Sequence, residues 1–301
     1  MRSFTCFLWI LTLTAACVLE DQPVGDADAG ICGSCPTPRP VCNQEAEACV
    51  ECTAENTSAC IDDTPVCNSE NFECVECVAN AECSDRRKAR CDTGANECVG
   101  CESRTDCEGI AGFPECNNGT CVECTPSSEE TDCDRNSCDP FTLTCTDTML
   151  ASRETCETCV ADSECMENHR CVPMNYKGLR HPNGNTGFCL KSIALGGICT
   201  NPYRIVISET SLSGAPEDEY CAINEGLATC EAVRALLDDD PCDPENGDAD
   251  CPQPSGLCRE LPGMRDTCTY LCSGPSQCDE EPNPGSGCGS SGSGGDDYCG
   301  G

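Results

Sequence analysis

Apolar positions gather in only a few stretches of this chain. The first is Phe4 to Thr14, inside MRSFTCFLWILTLTAA, just after the basic Arg2. It is too short to span a bilayer and predicts a secretory signal over residues 1–16. Tyr203–Leu212, YRIVISETSL, is rich in β-branched residues and predicts a strand. Leu227–Asp239, LATCEAVRALLDD, places Leu227, Cys230, Val233, Leu236 and Leu237 on one face and predicts a helix. The acidic Asp238–Asp240 end of that helix has the wrong sign for a C-terminus. Elsewhere the segments are polar and turn-forming (DTGANE, NNGT, DDTPV, TPSSEETD), with Gly and Asn supplying positive φ and Pro fixing it. Such segments predict short β-hairpins at most. Val18 to Ile31 is acidic and aperiodic, and reads as a flexible linker over 17–31.

What interrupts the polar segments is cysteine, 38 of 301 residues, in a chain with only 4% aromatics. Without its cysteines roughly a quarter of the chain is apolar, too little for one large core. The chain is therefore held by covalent links or not at all. From Cys52 the cysteines fall in sets of four: Cys52, Cys60, Cys67, Cys74; Cys77, Cys83, Cys91, Cys98; Cys101, Cys107, Cys116, Cys121; Cys124, Cys133, Cys138, Cys145. The repeat is 23 to 25 residues, and junctions such as CVECVANAEC join one set to the next through two residues. A fixed period of this kind marks a tandem array, over residues 32–158, of small modules able to close two disulfides each. The leading set is irregular. Cys35, Cys42 and Cys49 fit the frame, the second position is missing, and Cys32 sits ahead of it.

The CxxC spacing also suits zinc and thioredoxin-type redox sites. Zinc sites pair two knuckles in one unit or add histidines, whereas each set offers one CxxC and the chain holds two histidines, His169 and His181. A redox CxxC belongs at a helix N-terminus in a βαβ unit, and no such pattern surrounds these junctions. Export favours disulfides, since cysteines entering an oxidising compartment pair. No metal and no cofactor are expected.

Three resemblances sharpen this reading. LTAAC at 13–17 resembles the lipobox of bacterial lipoproteins, which implies lipidation of Cys17 after cleavage at Ala16, although Thr14 stands where the family has leucine. Ordinary cleavage there would release a secreted chain instead. Removing Cys6 and Cys17 leaves 36 cysteines, an even number. The CVECTxDxxC-type junctions over residues 32–158 resemble the cysteine-rich repeats of surface proteins from myxobacteria and their relatives. Cys159, Cys165, Cys171 and the block ending at Cys189 resemble the N-terminal cysteine-rich region of Dickkopf proteins, which implies a further disulfide module without Wnt antagonism.

Residues 159–278 read as a second, slightly more globular cysteine-rich domain with one strand and one helix, and 279–301 as a Gly/Ser-rich tail. Acidic residues precede the second cysteine of several sets (Glu82, Asp106, Asp132, Glu164), but no DxDxDG spacing recurs, so they read as solvated turn residues rather than calcium ligands. His169 and His181 read as solvated loop residues, and Asn56 and Asn118 head glycosylation-type sequons. No GxSxG, HExxH or P-loop occurs, so no catalytic residue is expected. The net charge of −36 argues against nucleic acid and anionic lipid as partners. The basic run Asp-Arg-Arg-Lys-Ala-Arg at 85–90 is a local exception that suits pairing with neighbouring carboxylates. The resulting expectation is an exported, lipid-anchored protein of the outer membrane or cell surface. It would act as a spacer, adhesive or ligand-binding array for a protein or glycan. The rival expectation is an extracellular protein that sequesters divalent cations or metals.

Overall fold

The computed structural model describes residues 32–261, 263, 265–278, 287–290 and 296–300. The expected signal segment, Cys17, the expected linker to residue 31 and most of the expected tail lie outside them. The chain divides into two compact bodies, Met1–Val78 and Ala79–Gly301. Regular structure is sparse: short two-stranded hairpins, a few helical turns and many disulfides in tandem.

One element recurs throughout. Val41–Asn43 pairs with Ala48–Val50, Val66–Asn68 with Glu73–Val75, Arg90–Asp92 with Glu97–Val99, and Glu115–Asn117 with Thr120–Val122, all antiparallel. In each hairpin the third and fourth cysteines of a set stand directly opposite one another: Cys42 and Cys49, Cys67 and Cys74, Cys91 and Cys98, Cys116 and Cys121. Opposed residues share a face of the ribbon, so both sulfurs point toward the preceding loop. They bond to the two cysteines in that loop rather than to each other.

The connectivity is first to third and second to fourth. It gives Cys52–Cys67 with Cys60–Cys74, Cys101–Cys116 with Cys107–Cys121, and Cys124–Cys138 with Cys133–Cys145. Cys83–Cys98 is the second-to-fourth bridge of its set, and Cys77 and Cys91 are also disulfide-bonded. In the leading set Cys32 bonds Cys42 and Cys35 bonds Cys49. Cys35 therefore holds the second position, which the frame leaves vacant, and Cys32 takes the first.

The same knot continues through the region that composition separates as a second domain and tail. Cys159–Cys171 with Cys165–Cys189, Cys242–Cys258 with Cys251–Cys268, and Cys272–Cys288 with Cys278–Cys299 repeat the crossing. Cys288 and Cys299 are thus bonded to the body of the molecule. Two further bridges, Cys156–Cys230 and Cys199–Cys221, lie outside any set. Cys156, though it opens a CETCVADSEC junction, is not a unit cysteine; it reaches 74 residues forward to the helix.

Between these sets sits a small sheet where the sequence pattern indicates one strand. Gly187–Ser192 pairs with Thr158–Cys159, His169–Val172 and Asp218–Ala222, and Ile205–Glu209 lies at the edge beside Asp218–Ala222. The strand that periodicity reveals is this edge strand. Gly187–Ser192 is buried along nearly its whole length, so it shows no alternation of apolar and polar residues and is too short to stand out. The helix runs Cys230–Leu237, with Thr229 as N-cap accepting from Ala232 N. Leu227 precedes it, while Cys230, Ala232, Val233 and Ala235 are buried. The helix and sheet share a core containing Val172, Phe188, Leu190, Tyr220, Val233 and Tyr270. In the hairpin units the buried clusters consist mostly of cystine sulfur, as around Cys124, Cys133 and Cys138.

Candidate functional site

The acidic residues before the second cysteine do structural work that the sequence reading misses. Each sits in a short helical turn. Glu82 Oε2 accepts from Ala79 N (2.7 Å), Asp106 Oδ2 from Glu102 N and Ser103 N (2.8 and 3.0 Å), and Glu164 Oε2 from Val160 N (2.9 Å). Each carboxylate caps amides that open its turn, which would otherwise be orphaned. The residue that opens the same turn often accepts the third cysteine's amide. Asn80 takes Cys91 N, Glu129 takes Cys138 N, Asp162 takes Cys171 N and Asp248 takes Cys258 N, at 2.9 to 3.0 Å. Turn and hairpin are therefore pinned by hydrogen bonds as well as by sulfur.

In the body from Ala79 onward these turns also join one unit to the next. Asn80 Nδ2 donates to Asp106 Oδ1, Arg104 donates to both carboxylate oxygens of Asp132 and to Glu115, and Ser163 Oγ donates to Glu129 Oε2. Asp132, 2% exposed at its side chain, is held below the usual carboxylate range by Arg104. Burial raises Asp106, yet its amide donors Glu102 and Ser103 outweigh that and its net shift is downward. The basic run 85–90 belongs to the same seam: Arg86 stacks on Phe113 at 5.2 Å and Arg90 pairs with Glu102 at 2.7 Å. Gly100, where other junctions carry Glu, meets the next hairpin turn; a Cβ there would lie 2.7 Å from Gly119 O.

The histidines are not solvated. His169 is 6% exposed, its Nδ1 lies 2.8 Å from Glu167 O and its Nε2 2.9 Å from Thr155 Oγ1. A carbonyl only accepts, so Nδ1 carries the proton and the neutral ring accepts from Thr155; burial holds its pKa down. His181 Nε2 lies 3.1 Å from Glu231 Oε2, and its ring stacks on Phe188. Asp238 at the helix end is paired by Arg234 one turn earlier, which offsets the unfavourable dipole sign. The sulfur groups close enough to suggest metal, such as Cys101, Cys107 and Cys121, each contain a bonded pair. A disulfide sulfur offers no thiolate ligand.

Two clefts flank one residue that no pattern singles out, Arg153. Its backbone is fixed by donation to Glu164 O and by acceptance from Met166 N. On one side lies a cleft of about 190 Å³ with Glu157, Glu231, Arg234 and Asp238, where Arg234 is already paired with Glu154 and Asp238. On the other lies a cleft of about 230 Å³ lined by Asp139, Thr146, Thr148, Thr158 and Thr186. Glu164 borders it too, but its carboxylate is occupied by Ser137 Oγ, Thr146 Oγ1 and Val160 N. Near the edge strand the surface is apolar, with Ile205, Val206 and, on a neighbouring loop, Ile198 exposed.

Every cysteine of the described residues is disulfide-bonded, the chemistry of an extracellular or envelope protein. No helix among them is long and apolar enough to cross a membrane. No family model, curated protein or solved structure matches the chain.

Proposed function

We propose that the protein is exported, anchored by lipid at Cys17, and displays a non-catalytic ligand-binding array at the outer membrane or cell surface. The observation that carries this reading is the closed pairing of all 36 cysteines from Cys32 to Cys299. Among the described residues no thiol remains to partner Cys17, which leaves that residue free for lipidation. The lipobox-like LTAAC and the acidic segment behind it support a tether, and the likeness to myxobacterial surface repeats supports display at the surface. The repeated knots hold their shape without a large core, which suits a spacer. The sheet-and-helix module and its clefts supply the binding surface for a protein or glycan. Nucleic acid is no partner for a chain of this acidity.

The test is the intact mass of native protein from the membrane fraction, alkylated without reduction. A chain beginning at Cys17 with diacylglyceride mass and no alkyl adducts is the expected result. A soluble chain beginning at Cys17 without lipid would overturn the anchor. Alkyl adducts that appear only after chelation would establish thiolate-bound metal and the sequestration reading in its place.

A further inference from the structure

Arg153 is a half-buried cation in a chain of net charge −36, yet among the described residues it belongs to no ion pair. Two other arginines with a buried, unbonded Nε, Arg90 and Arg234, are satisfied through their terminal nitrogens by carboxylates. Arg153 shares the orphaned Nε, but among the described residues its guanidinium makes a single hydrogen bond, donation from Nη2 to Thr148 Oγ1 at a long 3.4 Å. A guanidinium carries five donors, so this position is short of acceptors, and unmade bonds of a buried polar group are costly.

The cleft beside it defines what would supply them. Among the described residues Thr158 Oγ1 has no hydrogen-bond partner, Thr148 Oγ1 accepts from Arg153 and donates to none, and Thr186 Oγ1 donates to Asn183 O and accepts from none. Asp139 uses Oδ1 for the amides of Phe141 and Thr142, which leaves Oδ2 at the cleft as an acceptor for hydroxyls. One cation, several hydroxyls and one carboxylate match a ligand with a single negative charge and several hydroxyl groups. The Asp139 and Glu164 charges disfavour a multiply charged anion such as sulfate. At about 230 Å³ the cleft is below the roughly 300–1,000 Å³ of drug-sized sites, so the ligand is of monosaccharide size.

We propose that the cleft between Arg153, Thr148, Thr158 and Thr186 binds a sugar acid, its carboxylate on the Arg153 guanidinium and its hydroxyls on the threonines and Asp139. This deepens the ligand-binding reading and rests on it, but it does not depend on the lipid anchor. A guanidinium and a carboxylate form paired charge-assisted hydrogen bonds, and the hydroxyl ring distinguishes a sugar acid from a simple carboxylate.

Calorimetric titration of the full oxidised chain with galacturonate, galactose, acetate and sulfate tests the proposal. Galacturonate is expected to bind at millimolar or lower concentration and more tightly than the other three. Arg153→Gln is expected to weaken it about tenfold or more, as for loss of charge-assisted bonds. Thr158→Val, at an exposed position whose hydroxyl bonds to no described residue, is the control against misfolding and is expected to weaken binding several-fold with the melting temperature unchanged. A short galacturonate oligomer that binds more tightly than the monomer assigns the source to a glycan, and equal binding assigns it to the free acid; both support the site. Sulfate or acetate binding as tightly as galacturonate, galacturonate affinity unmoved by both variants, or no binding by any probe would each overturn the proposal. The last outcome alongside a lipidated Cys17 would leave the tethered scaffold standing and remove only this ligand.

Discussion

Two buried aspartates respond to pH in opposite directions, and the difference follows from what faces each. Asp132 is held below its ordinary value by Arg104. A depressed carboxyl contributes stability that is present above the ordinary aspartate range and is lost as pH falls through the folded value. Asp132→Asn is therefore expected to lower the melting temperature at neutral pH. The gap should close in acid, and a gap independent of pH would show that the pair contributes no electrostatic stability. Asp162 is raised, because burial outweighs acceptance from Ser211 and Cys171 N and the nearby Arg170. Its folded value lies above the unfolded one, so its contribution is greatest in acid and declines as pH rises through the folded value. Asp162→Asn keeps an acceptor for the Cys171 amide and removes that decline. The melting temperature of the variant relative to the parent is expected to rise from acid to neutral pH, and a flat difference would contradict the assignment.

Among the elements, the bridges differ in reach. Cys101–Cys116 closes 15 residues within one unit, whereas Cys156–Cys230 spans 74 and ties the end of the hairpin array to the helix. In the chain-entropy model these loops correspond to about 3 and about 4.5 kcal/mol. Replacing Cys156 and Cys230 together by Ala is expected to lower stability by about 2–5 kcal/mol and to speed amide exchange around Cys230–Leu237. The same change at Cys101 and Cys116 should loosen only residues 101–121. Equal, local effects from both would show that the long bridge does not organise the module. The contrast also marks how far the sequence is readable. The four-cysteine period and the polar turns disclose the hairpin array, because every unit obeys the same local chemistry. Cys156 sits in a junction that looks like all the others, and its partner is set by the packing of the helix against the sheet. Gly187–Ser192 is hidden for a related reason, since a strand buried on both faces carries no alternation. Arg153 leaves no sequence signal at all: one arginine makes no pattern, and its interest arises only from the absence of a carboxylate partner among the described residues and the presence of a cleft.

At the scale of the whole molecule, two kinds of interior respond differently to reduction. In the hairpin units the buried residues are largely the cysteines themselves, with Ala89, Ile110 and Phe113 as minor additions around Cys101, Cys107 and Cys121. Breaking those bridges removes both the chain constraint and most of the interior, and the remaining residues cannot offset the entropy of ordering. The core of the other module includes Cys156, Cys230, Cys272, Cys278 and Cys299, but Phe188, Leu190, Tyr220, Val233 and Tyr270 give it an apolar interior beyond its cysteines. Net charge widens the difference, because the excess of 53 acidic over 17 basic residues repels itself and salt screens that repulsion over about 8–10 Å near physiological ionic strength. Graded reduction followed by hydrogen exchange is therefore expected to strip protection from the hairpins at 41–50, 66–75 and 115–122 while Gly187–Ser192 and Asp218–Ala222 keep part of theirs. Raising the salt concentration should extend the range of reductant over which that partial protection survives. Simultaneous loss in both regions at every salt concentration would mean that the apolar core of the module has no stability of its own and that sulfur alone holds the entire chain.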